Sequence, residues 1–215
     1  MSVTSEAHEL LELLREQKLD KWGWVIYRTS YSDQQVWSDF RTFLLERMKQ
    51  AVGKLGDPVI SETVDLTFFD DDAAKFDNAS REDLRRHFKQ WRSAACLREQ
   101  PRAELYQGIV ETPRYEFFFQ VDGEVLEQFK REGPSINPLD TKAHVKLIQA
   151  AWQPRGDEEE PEERMYDEIG GIREHDVGWM KSAIGCISYS FYIYMSGMPD
   201  IWTFVYQRPP TVFRY

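Results

Sequence analysis

The chain has 215 residues, 41% of them hydrophobic and 14% aromatic, and a formal net charge of −10 at pH 7. A chain of that length buries about 70% of the surface its unfolded form exposes, so one domain can form without disulfide or metal staples. The negative balance disfavours binding to a phosphate backbone, which needs a basic surface, and 30% charged residues is ordinary for a folded domain.

Glu6 to Leu19 reads as a short amphipathic helix with Leu10, Leu11 and Leu14 on one side. Residues 1–21 are therefore expected to be a helix packed on a single domain over 22–215. Trp22 to Tyr31 is aromatic, β-branched and free of proline, and reads as a strand. Ser32 with Gln35 forms a capping box, and Val36, Trp37, Phe40, Phe43, Leu44, Met48 and Val52 follow at helical spacing until Gly53 and Gly56. Val59 to Phe69 alternates as a second strand, with Ser61, Thr63, Asp65 and Thr67 on one face. A helix is expected from Ser80 to about Arg98, with Leu84, Phe88, Trp91 and Ala95 inward and Arg85, Arg86, Lys89 and Arg92 toward water.

A third strand is expected over Arg114 to Asp122, a short helix over Glu124 to Arg131, and a fourth strand over His144 to Trp152. An acidic loop follows at about 153–168, carrying Asp157, Glu158, Glu159, Glu160, Glu162 and Glu163. Gly178 to Lys181 reads as a short extended piece. Ala183 to Met195 reads as a buried helix, with a strand as the alternative, and Ile201 to Gln207 as a last strand ended by Pro209-Pro210. The strands are amphipathic rather than continuously apolar. The expected fold is therefore α+β, with a mixed or antiparallel sheet and helices on one face, ferredoxin-like in spirit.

The residues near the N-terminus are charged and lack the apolar stretch of a secretory leader, and Ala183 to Met195 is too short and polar to span a bilayer. The expectation is a cytoplasmic protein, with the nucleus as the other compartment and no membrane partner. Asn78-Ala79-Ser80 matches a glycosylation sequon but reads more simply as a helix cap, and Cys96 and Cys186 read as buried free thiols.

If helices cover one sheet face, the other half of each strand forms an open face. That face gathers Arg28, Asp65, Glu116, His144 and Lys146 with Trp24, Phe118 and Trp152. Polar groups among aromatics suit a small-molecule site. Arg28 would hold an anionic or carbonyl group. Asp65 or Glu116 beside His144 would make an acid/base pair, while Trp24, Phe118, Lys146 and Trp152 would line the pocket. The competing reading is a solvated face, or one covered by the C-terminal third. His175, after Gly170-Gly171 and beside Asp176, is a further binding candidate, with a turn role as its alternative.

No histidine or cysteine spacing suits zinc, and there is no dinucleotide fingerprint, P-loop or nucleophile elbow. No metal or cofactor is therefore expected. The third strand lacks the glycine-aromatic pattern of RNA platforms, so no nucleic-acid partner is expected either. Two functions stay open: a small-molecule-binding domain, with or without catalysis, and a non-catalytic interaction or homodimerisation module using the same face or the "QRPPTVFRY" tail.

The segments "WGWVIYR", "IGGIREHDVGWMK" and "VYQRPP" together resemble a large family of uncharacterised proteins of filamentous fungi, over Trp22 to Pro210. The resemblance implies a fungal source and a single-domain unit, and it carries no activity, cofactor or site residue to these positions.

Overall fold

The computed structural model describes residues 3–106, 108–133, 143–154, 166–198 and 200–215. The acidic run from Asp157 to Glu163 lies outside them. The fold is α+β around a six-stranded mixed sheet, as expected, in the order β2-β1-β3-β4-β5-β6. The strands are β1 (Val25–Arg28), β2 (Thr67–Phe69), β3 (Phe117–Val121), β4 (His144–Gln149), β5 (Trp179–Ala183) and β6 (Val212–Phe213). β2, β1 and β3 run parallel, β3–β4 and β4–β5 are antiparallel, and β6 runs parallel to β5.

The helices are α1 (Val3–Glu16), α2 (Gln34–Gly53), α3 (Pro58–Thr63), α4 (Ala73–Phe76), α5 (Arg81–Glu99), α6 (Pro113–Glu116), α7 (Gly123–Glu132), α8 (Tyr189–Ser196) and α9 (Ile201–Val205). Leu10 and Leu14 of α1 are buried, and the helix packs against α3 and α8. Among the described residues no helix is long and apolar enough to cross a membrane.

Alternate residues of the strands enter two different cores. Ile26, Phe117, Phe119, Val145 and Leu147 join the larger one, built with α1, α2, α7, α8 and α9. Val25, Tyr27, Phe118 and Ile148 join a smaller one with Phe76, Leu84 and Phe88. The face expected to be open is therefore covered: the first half of α5 lies across it, with Phe88 packed at 5.0 Å on Phe118. Burial of both faces follows from the parallel β1–β2 and β1–β3 pairs, whose crossovers α2 and α5 supply an apolar cover on opposite sides.

Several local expectations change. Asp33, not Ser32, caps α2 by accepting the Val36 amide. Over 58–63 the chain is helical, because Asp57 caps the turn and Pro58 occupies its first position; only Thr67–Phe69 is strand. Pro113 likewise starts a helical turn over Arg114 to Glu116, so the third strand begins at Phe117. Ile201 to Val205 is a helix instead of a strand. It buries Ile201, Trp202 and Val205 in the main core, and Trp202 stacks on Phe117 at 5.7 Å. The place of a last strand is taken by Val212–Phe213, which pairs with β5 at the sheet edge. Over 183–195 the expected helix forms from Tyr189 as α8, while Ala183 still belongs to β5 and Ile184–Cys186 make a short 3-10 turn.

Candidate functional site

The sheet's smaller-core face is covered unevenly. α5 lies over β1 and β3, whereas over β4 and β5 the cover is the 166–178 segment, and a cleft of about 740 Å³ opens between it and α5. Ser80 caps α5 through the Asp83 amide. From that end the helix presents Arg81, Arg85, Arg86 and Lys89 to the cleft, against Glu82 as the single acid among the described lining residues. The opposite wall is Trp152, Ile169, Ile172, Val177 and Trp179. In a chain of net charge −10, the described residues lining this one apolar-walled depression thus sum to +3. Low-dielectric walls focus such a field on whatever enters.

The four cations are in different states. Arg85 is 9% exposed, contrary to the expectation that it faces water. Its Nε donates to the Gln149 carbonyl at 3.0 Å and its Nη2 to the Gly178 carbonyl at 2.7 Å, with its guanidinium 4.9 Å from the Trp152 ring. Gly178 makes this possible. Its φ is +72°, and a Cβ there would run into the Trp152 indole and Arg85 Nη2. Burial lowers the Arg85 pKa to about 10, and the Arg81 charge adds to that, so it stays cationic at neutral pH. Arg86 pairs at the surface with Asp83 and Glu82.

Arg81 stacks on Trp179 at 3.8 Å, and its Nε is buried without a partner. Neither the Arg81 guanidinium nor the Lys89 ammonium has a hydrogen bond or ion pair among the described residues. Burial lowers the pKa of both.

Next to Trp179 the floor becomes polar. Lys146 and Lys181 face each other across the β4–β5 ladder. Lys146 is held by Asp122 and by Glu124 at 2.9 Å, and Lys181 by Glu124 at 2.6 Å. His144 Nε2 lies 3.4 Å from Glu124 Oε1 but is 3% exposed, and burial followed by the Lys181 charge lowers its pKa. A neutral imidazole sealed from solvent has no path to a substrate proton, so this cluster closes one end of the cleft rather than forming a reaction centre.

The residues expected to share one face are divided. Phe118, His144, Lys146 and Trp152 belong to the cleft side. Phe118 is sealed under α5, and only Trp152 lines the cleft itself. Trp24 is in the main core, donating from Nε1 to the Ser188 carbonyl at 2.9 Å. Arg28 turns to the α2 side. It is bound to the Ser30 carbonyl and Gln34 Oε1, and lies 4.2 Å over Tyr31 and 5.2 Å over Trp37.

Asp65 lies before β2 and pairs with Arg114 at 2.8 Å. Glu116 ends α6, where its carbonyl accepts the Ala150 amide. The antiparallel register puts it at the far end of β4 from His144, roughly 20 Å away at the rise of a strand. Neither Asp65 nor Glu116 forms the expected acid/base pair; the carboxylate beside His144 is Glu124. His175 is exposed, between the rings of Tyr166 and Tyr206, while Asp176 fixes the turn by accepting from the Gly178 amide and Trp202 Nε1.

A second cleft, about 750 Å³, lies between α2 and α7, but its charges alternate: Asp39 and Glu46 against Arg47, Lys54 and Lys130. Among the described residues no group of three or more histidine, cysteine or acidic side chains is placed to hold a metal ion. Compared with family models, curated proteins and solved structures, the chain matches none of them.

Proposed function

We propose that this protein binds a small organic anion in the cleft between α5 and the 166–178 segment. The observation that carries the reading is the Arg81 guanidinium, stacked on Trp179 with its buried Nε unpartnered among the described residues, inside a depression of an acidic chain whose described lining sums to +3. A planar guanidinium already desolvated on an indole face is prepared for a carboxylate or phosphate, and the aromatic and isoleucine wall suits an apolar body. The volume is that of ordinary ligand pockets. Binding without chemistry is favoured, because His144, beside Glu124 on this face, is buried to 3% exposure.

Trp152 and Trp179 make the test direct. Titration with decanoate should change tryptophan fluorescence saturably, and decylammonium should not. Equal responses to the two would sink the reading.

A second reading, an interaction or dimerisation module, draws on another surface. An apolar groove of about 540 Å³ runs along Leu45, Met48, Val52, Val64 and Leu66, beside the edge strand β2. Leu45 is 40% and neighbouring Val59 52% exposed. Sedimentation showing a dimer that Leu45→Glu dissolves would support it.

A further inference from the structure

The charges on the helical wall are ordered. Arg81, Arg85 and Lys89 follow one another at four-residue steps along one side of α5, a ladder facing the cleft. The middle rung is used up, because Arg85 spends its donors on the Gln149 and Gly178 carbonyls and its face on Trp152. The two outer rungs are not used: Arg81 and Lys89 have no hydrogen bond or ion pair among the described residues. Eight residues of helix separate them, about 12 Å at the rise of an α-helix. Between them the facing wall is apolar, formed by Trp152, Trp179, Ile169 and Ile172.

We propose that the ligand is an elongated dianion, with one anionic group at Arg81, the other at Lys89, and an apolar middle lying across the indoles. This rests on the anion-binding reading above and narrows it to a ligand class. A monoanion satisfies one outer cation and leaves the other unpaired, whereas a dianion of matching length satisfies both. A short dianion reaches only one. The acidic floor beyond Trp179, where Glu124 already holds Lys146 and Lys181, sets the limit at the Arg81 end.

The test is calorimetric titration of the full chain with sebacate, decanoate and succinate at one ionic strength. Sebacate is a ten-carbon chain with a carboxylate at each end, comparable in extended length to the cation spacing. It should bind roughly tenfold or more tighter than decanoate, the gain of one charge-assisted hydrogen bond, and succinate should bind more weakly than either. In Arg81→Gln or Lys89→Gln the advantage of sebacate over decanoate should vanish while each variant still binds decanoate. Circular dichroism should show both variants folded as the parent. Equal affinities for sebacate and decanoate in the parent would overturn the dianion and leave the anion cleft standing. An advantage that survives both substitutions would overturn it too. Binding of neither compound would remove the cleft reading and the dianion together.

Discussion

Two arginines, one near β2 and one in the cleft, show what saturation does to a buried charge. Arg114, at the β2 side, is fully enclosed, and its donors are used. Nε goes to Glu99 at 2.9 Å, and Nη2 to Asp65 and Thr67 at 2.8 Å each. Burial alone would raise the Glu99 carboxyl, but its hydrogen bond and charge pairing with Arg114 outweigh that and hold it below its ordinary value. Arg81, in the cleft, has an indole beneath it and, among the described residues, no acceptor for its buried Nε. The first arginine closes a network; the second is left over from one. Structure consumes the donors of Arg114, and ligand binding is assigned to the donors that structure leaves unused.

The sharpest way to break the comparison is at Arg114. Arg114→Met should destabilise the fold by about 3–5 kcal/mol, because Glu99 and Asp65 would stay behind as partly buried carboxylates without their partner. Urea unfolding measures this, and a loss below 1 kcal/mol would mean the network is not structural. Gly178→Ala comes next. Its positive φ and the approach of Trp152 and Arg85 predict a loss of about 2–3 kcal/mol together with loss of decanoate binding, since the cleft wall would shift. A variant with unchanged melting temperature and affinity would show that the wall is not set there.

Glu116 supplies a pH test. Burial, then the nearby Glu111 charge, raises its carboxyl to about 7 in the folded protein, against 4.5 ordinarily. Between those values the folded state binds more protons than the unfolded one, so stability falls as pH rises from about 4.5 to about 7 and is level beyond. Glu116→Gln should remove that slope and be more stable above pH 7 by roughly 1–3 kcal/mol. A slope unchanged in the variant would assign it elsewhere. The smallest effect on stability belongs to Arg81. Arg81→Gln should cost no more than about 1 kcal/mol of unfolding free energy, since it loses the stacking on Trp179 but no hydrogen bond among the described residues, while weakening decanoate binding.

Much of the scaffold was readable. The inward stripe Trp37, Phe40, Leu44, Met48 and Val52, the Ser80 cap and the strong apolar content of β3 and β4 state their places plainly. Where reading failed, an explicit signal had been outvoted by alternation. Asp57-Pro58 and Thr112-Pro113 each set proline at a first helical position, and both segments turn helical despite their two-residue period. Ile201 to Val205 shows the reverse limit. Five aromatic and branched residues favour a strand locally, but burying Ile201, Trp202 and Val205 together requires a helical turn.

The site was legible only in part. His144, Lys146, Phe118 and Trp152 do share a face, because period two is robust within β3 and β4. Trp24 and Arg28 were assigned to the wrong side, since β1 is buried on both faces and its hydrophobicity carries no orientation. The cations of α5 read as a solvated stripe because nothing in their own helix announces that 166–178 folds across them. Gly178 is the nearest signal, visible as a glycine but not as the neighbour of Arg85 and Trp152.

The central claim is that the cleft selects negative charge through the free cations of α5. Calorimetry of decanoate and decylammonium against the parent and the double variant Arg81→Glu, Lys89→Glu tests it most directly. The account predicts that the parent binds decanoate alone and that the double variant loses it by at least about tenfold. Unchanged decanoate affinity in the folded double variant would contradict it.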